Sequence, residues 1–153
     1  MKNLETSQGA LKRAERWYQS AIRAFEDERW DDVMYSCQMS VEQALKAILI
    51  LYGVEYPKIH DISSIYINIK TKDLPRWFSS KMEFHASILE ELNEKRGPSA
   101  YGYIEGMIKD DFKEDAFYFK DPVNEIINDC KKLIEDFSKK QKSVSYEEDN
   151  SKI

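Results

Sequence analysis

A chain of 153 residues, 42% hydrophobic and 33% charged, is long enough for one domain with a buried core and too apolar for a disordered polymer. Its formal net charge of −5 excludes a protein that coats nucleic acid with a uniformly basic surface, while leaving room for a local basic groove. With only five glycines and four prolines to punctuate it, the chain favours helices over strands.

The first predicted helix carries Leu11, Ala14, Tyr18, Ala21, Ile22 and Phe25 at spacings of three and four, one apolar face. The polar run Glu26 to Arg29 closes it. A second helix opens at Asp31 or Asp32, both suitable caps, and carries Val33, Met34, Cys37, Val41, Ala44, Leu45, Ile48 and Leu51 before Gly53 stops it. Its C-terminal half is apolar nearly all round, so it is expected at the centre of the core.

Pro57 marks a turn, and Asp61 caps a short helix with Ile62, Ile65, Tyr66 and Ile69 on one side; the alternation Ile65, Ile67, Ile69 also suits a strand. A further helix is predicted from Pro75 through Trp77, Phe78, Met82, Leu89 and Leu92 to about Arg96. Gly97 and Pro98 are expected to end it, because proline lacks an amide donor and disfavours helical geometry in the residue before it. Residues 104–120 mix Gly106, an acidic cluster and the aromatic run Phe117-Tyr118-Phe119, a pattern that fixes no element. The last predicted helix has Asp121 as cap, Pro122 at its start and the stripe Val123, Ile126, Ile127, Cys130, Leu133, Ile134 and Phe137. The expected architecture is all-α: an antiparallel up-and-down four-helix bundle with an additional short helix over residues 1–137, followed by a charged tail, 138–153, of disordered composition.

The longest apolar stretch, Ala44 to Tyr52, contains Lys46 and falls far short of the ~20 residues a membrane span needs. No apolar run follows the opening Met-Lys as a secretory leader would require, so a cytoplasmic location is expected. Cys37 and Cys130 stand far apart without a Cys-x-x-Cys pair and read as reduced core thiols; no metal or cofactor is expected.

Several polar residues stand out. Arg96 suits two roles: complementing a helix C-terminus and its last carbonyls, or gripping a phosphate or carboxylate in its planar fork. Tyr101 and Tyr103 present hydroxyls at the ends of apolar rings, and packing on the bundle accounts for them equally. Arg16, Gln19 and Arg23 share a helix face, with Lys12 and Arg13 near it, either as a solvated surface or as a phosphate groove. His85 falls in phase with Phe78, Met82, Leu89 and Leu92, as a histidine at the core edge would, and His60 belongs with the cap of the third helix.

Arg16-Trp17-Tyr18 through Phe25, the run Trp30-Asp31-Asp32 through Cys37 to Glu42-Gln43-Ala44-Leu45-Lys46-Ala47, and His60-Asp61-Ile62 together resemble the HEPN domain family over roughly residues 10 to 137. The resemblance implies a helical bundle, homodimerisation and nucleotide or RNA binding. Many members are metal-independent ribonucleases, often toxins, carrying an arginine, four to six residues and then a histidine. In a subset one further residue and a tyrosine follow, and a partner minimal nucleotidyltransferase antitoxin modifies that tyrosine with AMP.

Here Arg96 matches the arginine and Tyr103 the modified tyrosine, while Tyr101 stands in the place of the histidine. The substitution bears on catalysis, because histidine titrates near pH 6.5 and tyrosine near 10. Glu42 is either an ordinary flanking carboxylate or, by the resemblance, the polar residue that orients Arg96. Three readings follow: a HEPN protein that binds nucleotide or RNA through Arg96, Arg16, Arg23 and Glu42; a ribonuclease toxin using Arg96 with Tyr101 or another base; and a purely structural interaction domain.

Overall fold

The structure, a computed structural model, describes residues 2–151. Six α-helices appear, α1 (Lys2–Glu26), α2 (Trp30–Leu51), α3 (Ser63–Asn68), α4 (Arg76–Ser79), α5 (Met82–Tyr101) and α6 (Lys113–Ser151). Short 3-10 turns cover Ile69–Thr71, Gly102–Glu105 and Lys109–Phe112, and no strand is present among the described residues. The long helices α1, α2, α5 and α6 form the bundle, in which α1, α5 and α6 pack around α2. Fifteen of the 22 residues of α2 are buried, which is why its pattern is apolar nearly all round. The third segment is helical, so its Ile65-Ile67-Ile69 alternation does not mark a strand; Ile62 rather than Asp61 is its N-cap, and Asp61 Oδ1, one residue earlier, accepts the Ser63 amide at 3.1 Å.

The α1–α2 contact is close because Ala14, Ala44 and Ala47 are small and fully buried there. Two buried hydroxyls fasten it: Ser7 Oγ donates to the Ala47 carbonyl at 2.7 Å, and Ser40 Oγ to the Ala14 carbonyl at 2.8 Å. Ser7→Ala and Ser40→Ala should each lower the unfolding free energy by about 1 kcal/mol in urea titrations. The two bonds lie about 10 Å apart along α2, so the double variant should show the sum.

Proline behaves differently from the sequence expectation in two places. Helix α5 does not stop at Gly97-Pro98 but runs through both to Tyr101. A proline in a helix forfeits one backbone bond and crowds the residue before it, and here that residue is Gly97, which has no Cβ to clash. Likewise Pro122 lies inside α6, and Asp121 is not its cap, because the helix begins at Lys113. Burial outweighs the lost bond: Phe112, Ala116, Phe119 and Val123 are buried at spacings of three and four. Phe117 sits 4.8 Å from the Phe25 ring and 5.4 Å from Trp30, tying the start of α6 to the α1–α2 turn. Tyr18 donates to the Lys120 carbonyl at 3.0 Å beside the proline.

The single helix expected from Pro75 to Arg96 is instead interrupted between α4 and α5 at Ser80-Lys81. Ser79 and Ser80 turn their hydroxyls back to the Arg76 and Trp77 carbonyls, a local alternative to continued helix. At the other end of the chain α6 continues through residues 138–151, where the composition predicted disorder. That stretch is rich in Ser, Lys and Glu and holds no glycine or proline, so nothing in it terminates a helix already under way. The last two residues of the predicted tail lie outside the described residues.

One buried polar cluster locks α3, α5 and α6 together. His85 is fully buried; its Nε2 lies 2.9 Å from Asp129 Oδ2 and its Nδ1 2.7 Å from the Tyr66 hydroxyl. Lys81 completes the cluster with ion pairs to Asp129 at 2.5 Å and Glu125 at 2.9 Å. Asp129 accepts, so Nε2 carries the ring proton, and Nδ1 accepts from Tyr66. Cys37 and Cys130 are free, buried thiols, and burial pushes the Cys37 thiol up to about 12.

Candidate functional site

A polar row crosses the apolar helix α2: Gln38, Glu42 and Lys46, spaced i, i+4, i+8, all face α5 and the segment before α3. Glu42, only 2% exposed, is the hub. Its Oε1 accepts from Gln38 Nε2 at 3.0 Å and from His60 Nδ1 at 2.8 Å, and its Oε2 accepts from Lys46 Nζ at 3.3 Å. A buried carboxylate needs such partners to stay ionised.

The Gln38 amide nitrogen also donates to Asn93 Oδ1 at 3.0 Å. With both its nitrogen bonds directed at acceptors, the amide turns its oxygen to Arg96, whose Nη1 donates to Gln38 Oε1 at 2.6 Å. The other Arg96 contacts are neutral as well: Met39 Sδ at 3.1 Å and the Tyr35 hydroxyl at 3.5 Å. Among the described residues no carboxylate pairs with this guanidinium. A half-buried cation held by neutral groups keeps its charge for an incoming anion.

Aromatic rings extend the site. The Arg96 guanidinium stacks 4.9 Å from the Tyr35 ring, Tyr35 meets Trp17 edge-on at 6.1 Å, and Arg13 lies 5.9 Å from the Trp17 ring. Two half-buried aromatic rings thus run side by side across α1, α2 and α5, with a cation at each end of the row. Such a row can hold phosphates at its ends and stack bases on its rings.

The sequence candidates meet this arrangement unevenly. Arg96 is at its centre, and Glu42 reaches it through Gln38 rather than directly. Arg16 and Arg23 are exposed on α1, and the α1 cation that joins the ladder is Arg13. Because α5 continues past Pro98, Tyr101 lies five residues on, about 140° around the helix from Arg96. It is 64% exposed and borders a surface groove with Gly97, Pro98, Gly102, Ile104 and Glu105. Tyr103, on the following 3-10 turn, is 70% exposed.

Residues that the sequence reading passed over are Gln38, Tyr35, Trp17 and Asn93, and it placed His60 with the helix cap alone. The polar i, i+4, i+8 row on an otherwise apolar helix was the available signal. His60 belongs to a recognisable local motif, but nothing local marks its pairing with Glu42, eighteen residues away. Among the described residues no three His, Cys, Asp or Glu side chains are grouped to hold a metal ion.

The arrangement is that of an all-helical domain whose central helix carries a polar row leading to an arginine stacked on a tyrosine ring. The family model of the HEPN domain matches residues 7–141, and the chain belongs to that family. Membership supports a nucleotide- or RNA-binding or nuclease-like role. No curated protein and no solved structure gives a match. No helix among the described residues is long and apolar enough to cross a membrane.

Proposed function

We propose that this HEPN protein binds RNA or nucleotide across the ladder Arg96, Tyr35, Trp17 and Arg13, with Glu42 and Gln38 setting the arginine. The observation that carries the reading is the Arg96 guanidinium, half-buried and stacked, with only neutral partners. Arg16 and Arg23 contribute exposed positive charge along α1 and add to affinity rather than selectivity.

The protein acts as a homodimer paired with a separately encoded minimal nucleotidyltransferase. Tyr101, Tyr103, Ile104 and Ile108, between 61% and 74% exposed, supply an apolar surface for association. The exposure of Tyr103 also suits it as the hydroxyl that receives AMP. Light scattering on a sizing column tests association, and an 18.0 kDa species at micromolar concentration would count against it. Mass spectrometry after co-expression with a neighbouring nucleotidyltransferase tests the modification, which an unmodified Tyr103 beside an active transferase opposes.

The binding test is fluorescence anisotropy with a labelled single-stranded RNA. Arg96→Ala should weaken binding at least about tenfold, and Tyr35→Ala about as much, since a stacked base contributes roughly 1–3 kcal/mol. Affinity should fall as salt rises, with a shallower slope for Arg96→Ala. Wild-type affinity in both variants would refute the ladder as the binding site. Ribonuclease activity is the second reading, and the pairing of His60 with Glu42 favours it.

A further inference from the structure

The chain carries two histidines, and their surroundings give them opposite chemistry. His85 is fully buried with both ring nitrogens bonded, so neither is open to a reagent. His60 lies on the loop leading to α3, its side chain 54% exposed and its Nδ1 2.8 Å from Glu42 Oε1. An ionised carboxylate only accepts, so in the neutral ring Nδ1 carries the proton and Nε2 the lone pair. Among the described residues no hydrogen bond reaches Nε2.

The carboxylate behind this ring is held so that it keeps its charge. Gln38 donates to one Glu42 oxygen and Lys46 to the other, both from α2. A carboxylate bonded to one imidazole nitrogen strengthens the other as an electron donor, as it does behind metal-bound histidines. The loop is fastened too. The Asn93 amide donates to the His60 carbonyl at 3.4 Å, and the next residue, Asp61, turns its carboxylate to Ser63. Glu42 and Gln38 stand between this ring and Arg96, so a chemistry that asks nothing of the arginine suits Nε2 best. Attack on a phosphoryl group carried in by its own donor meets that condition.

We propose that His60 is a modification site, a histidine whose Nε2 accepts a phosphoryl group from a donor of the phosphoramidate or acyl phosphate class. Glu42 is its positioning residue. The Nε2 lone pair attacks phosphorus, and the N–P bond forms as the bond from phosphorus to the leaving group breaks. The leaving group takes the bonding pair with it. It departs as ammonia from a phosphoramidate already protonated on nitrogen, or as a carboxylate from an acyl phosphate. No proton leaves the ring, because Nε2 has none and Nδ1 keeps its own. The positive charge that the ring gains faces Glu42 across that 2.8 Å bond. Nothing is oxidised or reduced, and the balance closes with the donor alone. The product sets about two negative charges at the solvent edge of the polar row. This chemistry is independent of RNA binding at Arg96.

Full-length wild-type protein, His60→Gln and Glu42→Gln are incubated with potassium phosphoramidate near neutral pH, with uptake followed by mass spectrometry and phosphorus NMR. Circular dichroism confirms the fold of each variant. Wild type should take up a single phosphoryl group, all of it on Nε2, at least about tenfold faster than N-acetylhistidine does. That factor is what a charged hydrogen-bond partner adds over a neutral one. His60→Gln should take up none, since His85 is closed to the reagent. Glu42→Gln keeps an acceptor for Nδ1 and loses the charge, so it should still react on Nε2 but about tenfold more slowly. A purely structural Glu42 would not separate rate from the nitrogen chosen. Uptake on Nδ1, uptake surviving in His60→Gln, or a wild-type rate no higher than that of N-acetylhistidine would each overturn the assignment. An unchanged rate in Glu42→Gln would overturn the part given to Glu42.

Discussion

Replacing His85 with alanine should remove about 4 kcal/mol of stability, the largest effect expected from a single change in this chain. Two costs combine. Deleting a fully buried ring that contacts Phe78, Phe84 and Tyr66 leaves a cavity, typically worth about 2 kcal/mol or more. The Tyr66 hydroxyl, itself fully buried, then has no acceptor, which adds about 1–3 kcal/mol. Asp129 is less affected because Lys81 still pairs with it. In thermal melts the loss corresponds to a drop of about 8–16 °C for a chain of this size. His85→Phe keeps most of the volume and should cost about half as much, which separates the polar share from the cavity. An unchanged urea midpoint in His85→Ala would show that the cluster carries no stability.

The same residue gives stability a pH dependence with a definite sign. Burial lowers the His85 pKa below its usual 6.5, only partly opposed by the Asp129 carboxylate and Glu125; Lys81 acts with burial. The unfolded chain therefore binds a proton on this ring at a higher pH than the folded chain does. Stability is complete above pH 6.5 and is lost as the pH falls below it, levelling once the folded-state pKa is passed. Unfolding curves taken between about pH 7 and 5.5 should show wild type weakening more steeply than His85→Phe, and parallel slopes would refute the assignment.

The way His85 was legible explains much about the rest. Its phase with Phe78, Met82, Leu89 and Leu92 announced a core-edge histidine, because periodicity reports burial directly. All four long helices were visible for the same reason. What periodicity does not report is which of two opposed local preferences prevails. Pro98 and Pro122 carry strong signals to end a helix, and both lie inside one: Gly97 offers the first no Cβ to crowd, and the buried face of Phe112, Ala116, Phe119 and Val123 outweighs the backbone bond lost to the second. Tyr101 shows the consequence for function. Whether the residue five places after Arg96 shares its site depends on whether the backbone turns at Gly97, and continued helix carries it to another face.

The site was legible in part. Arg96 and Glu42 were singled out from sequence, but the link between them runs through Gln38, and the imidazole nearest to them comes from a loop. Hydrogen bonds between residues 18 to 58 positions apart leave no trace in local pattern. Their only sequence correlate is the polar row on α2, whose burial is affordable because each member satisfies the next.

That interdependence makes Glu42 the position where stability and ligand binding should fail together. Glu42→Ala strips the acceptor from three donors at once, on Gln38, His60 and Lys46. Lys46 is left beside an apolar wall, but its side chain is 13% exposed and lies over the Tyr56 ring, so it can extend toward water. His60 is more exposed still and resolvates easily. The expected loss is therefore about 2–3 kcal/mol, below the 3–5 typical of a charge stranded deep inside. Without Glu42 the Gln38 amide has lost one of two acceptors for its nitrogen and turns more freely, so its oxygen no longer fixes Arg96. RNA affinity, measured well below the melting temperature, should drop about tenfold, in the range seen when a supporting partner is removed. Glu42→Gln keeps the size and one acceptor oxygen and should cost about 1 kcal/mol with affinity close to wild type. In the double variant Glu42→Ala, Lys46→Ala the cation is gone as well, so its stability loss should be smaller than the sum of the two single losses. A simple sum would mean that Glu42 and Lys46 do not interact, and undiminished RNA affinity in Glu42→Ala would mean that the row on α2 does not position Arg96.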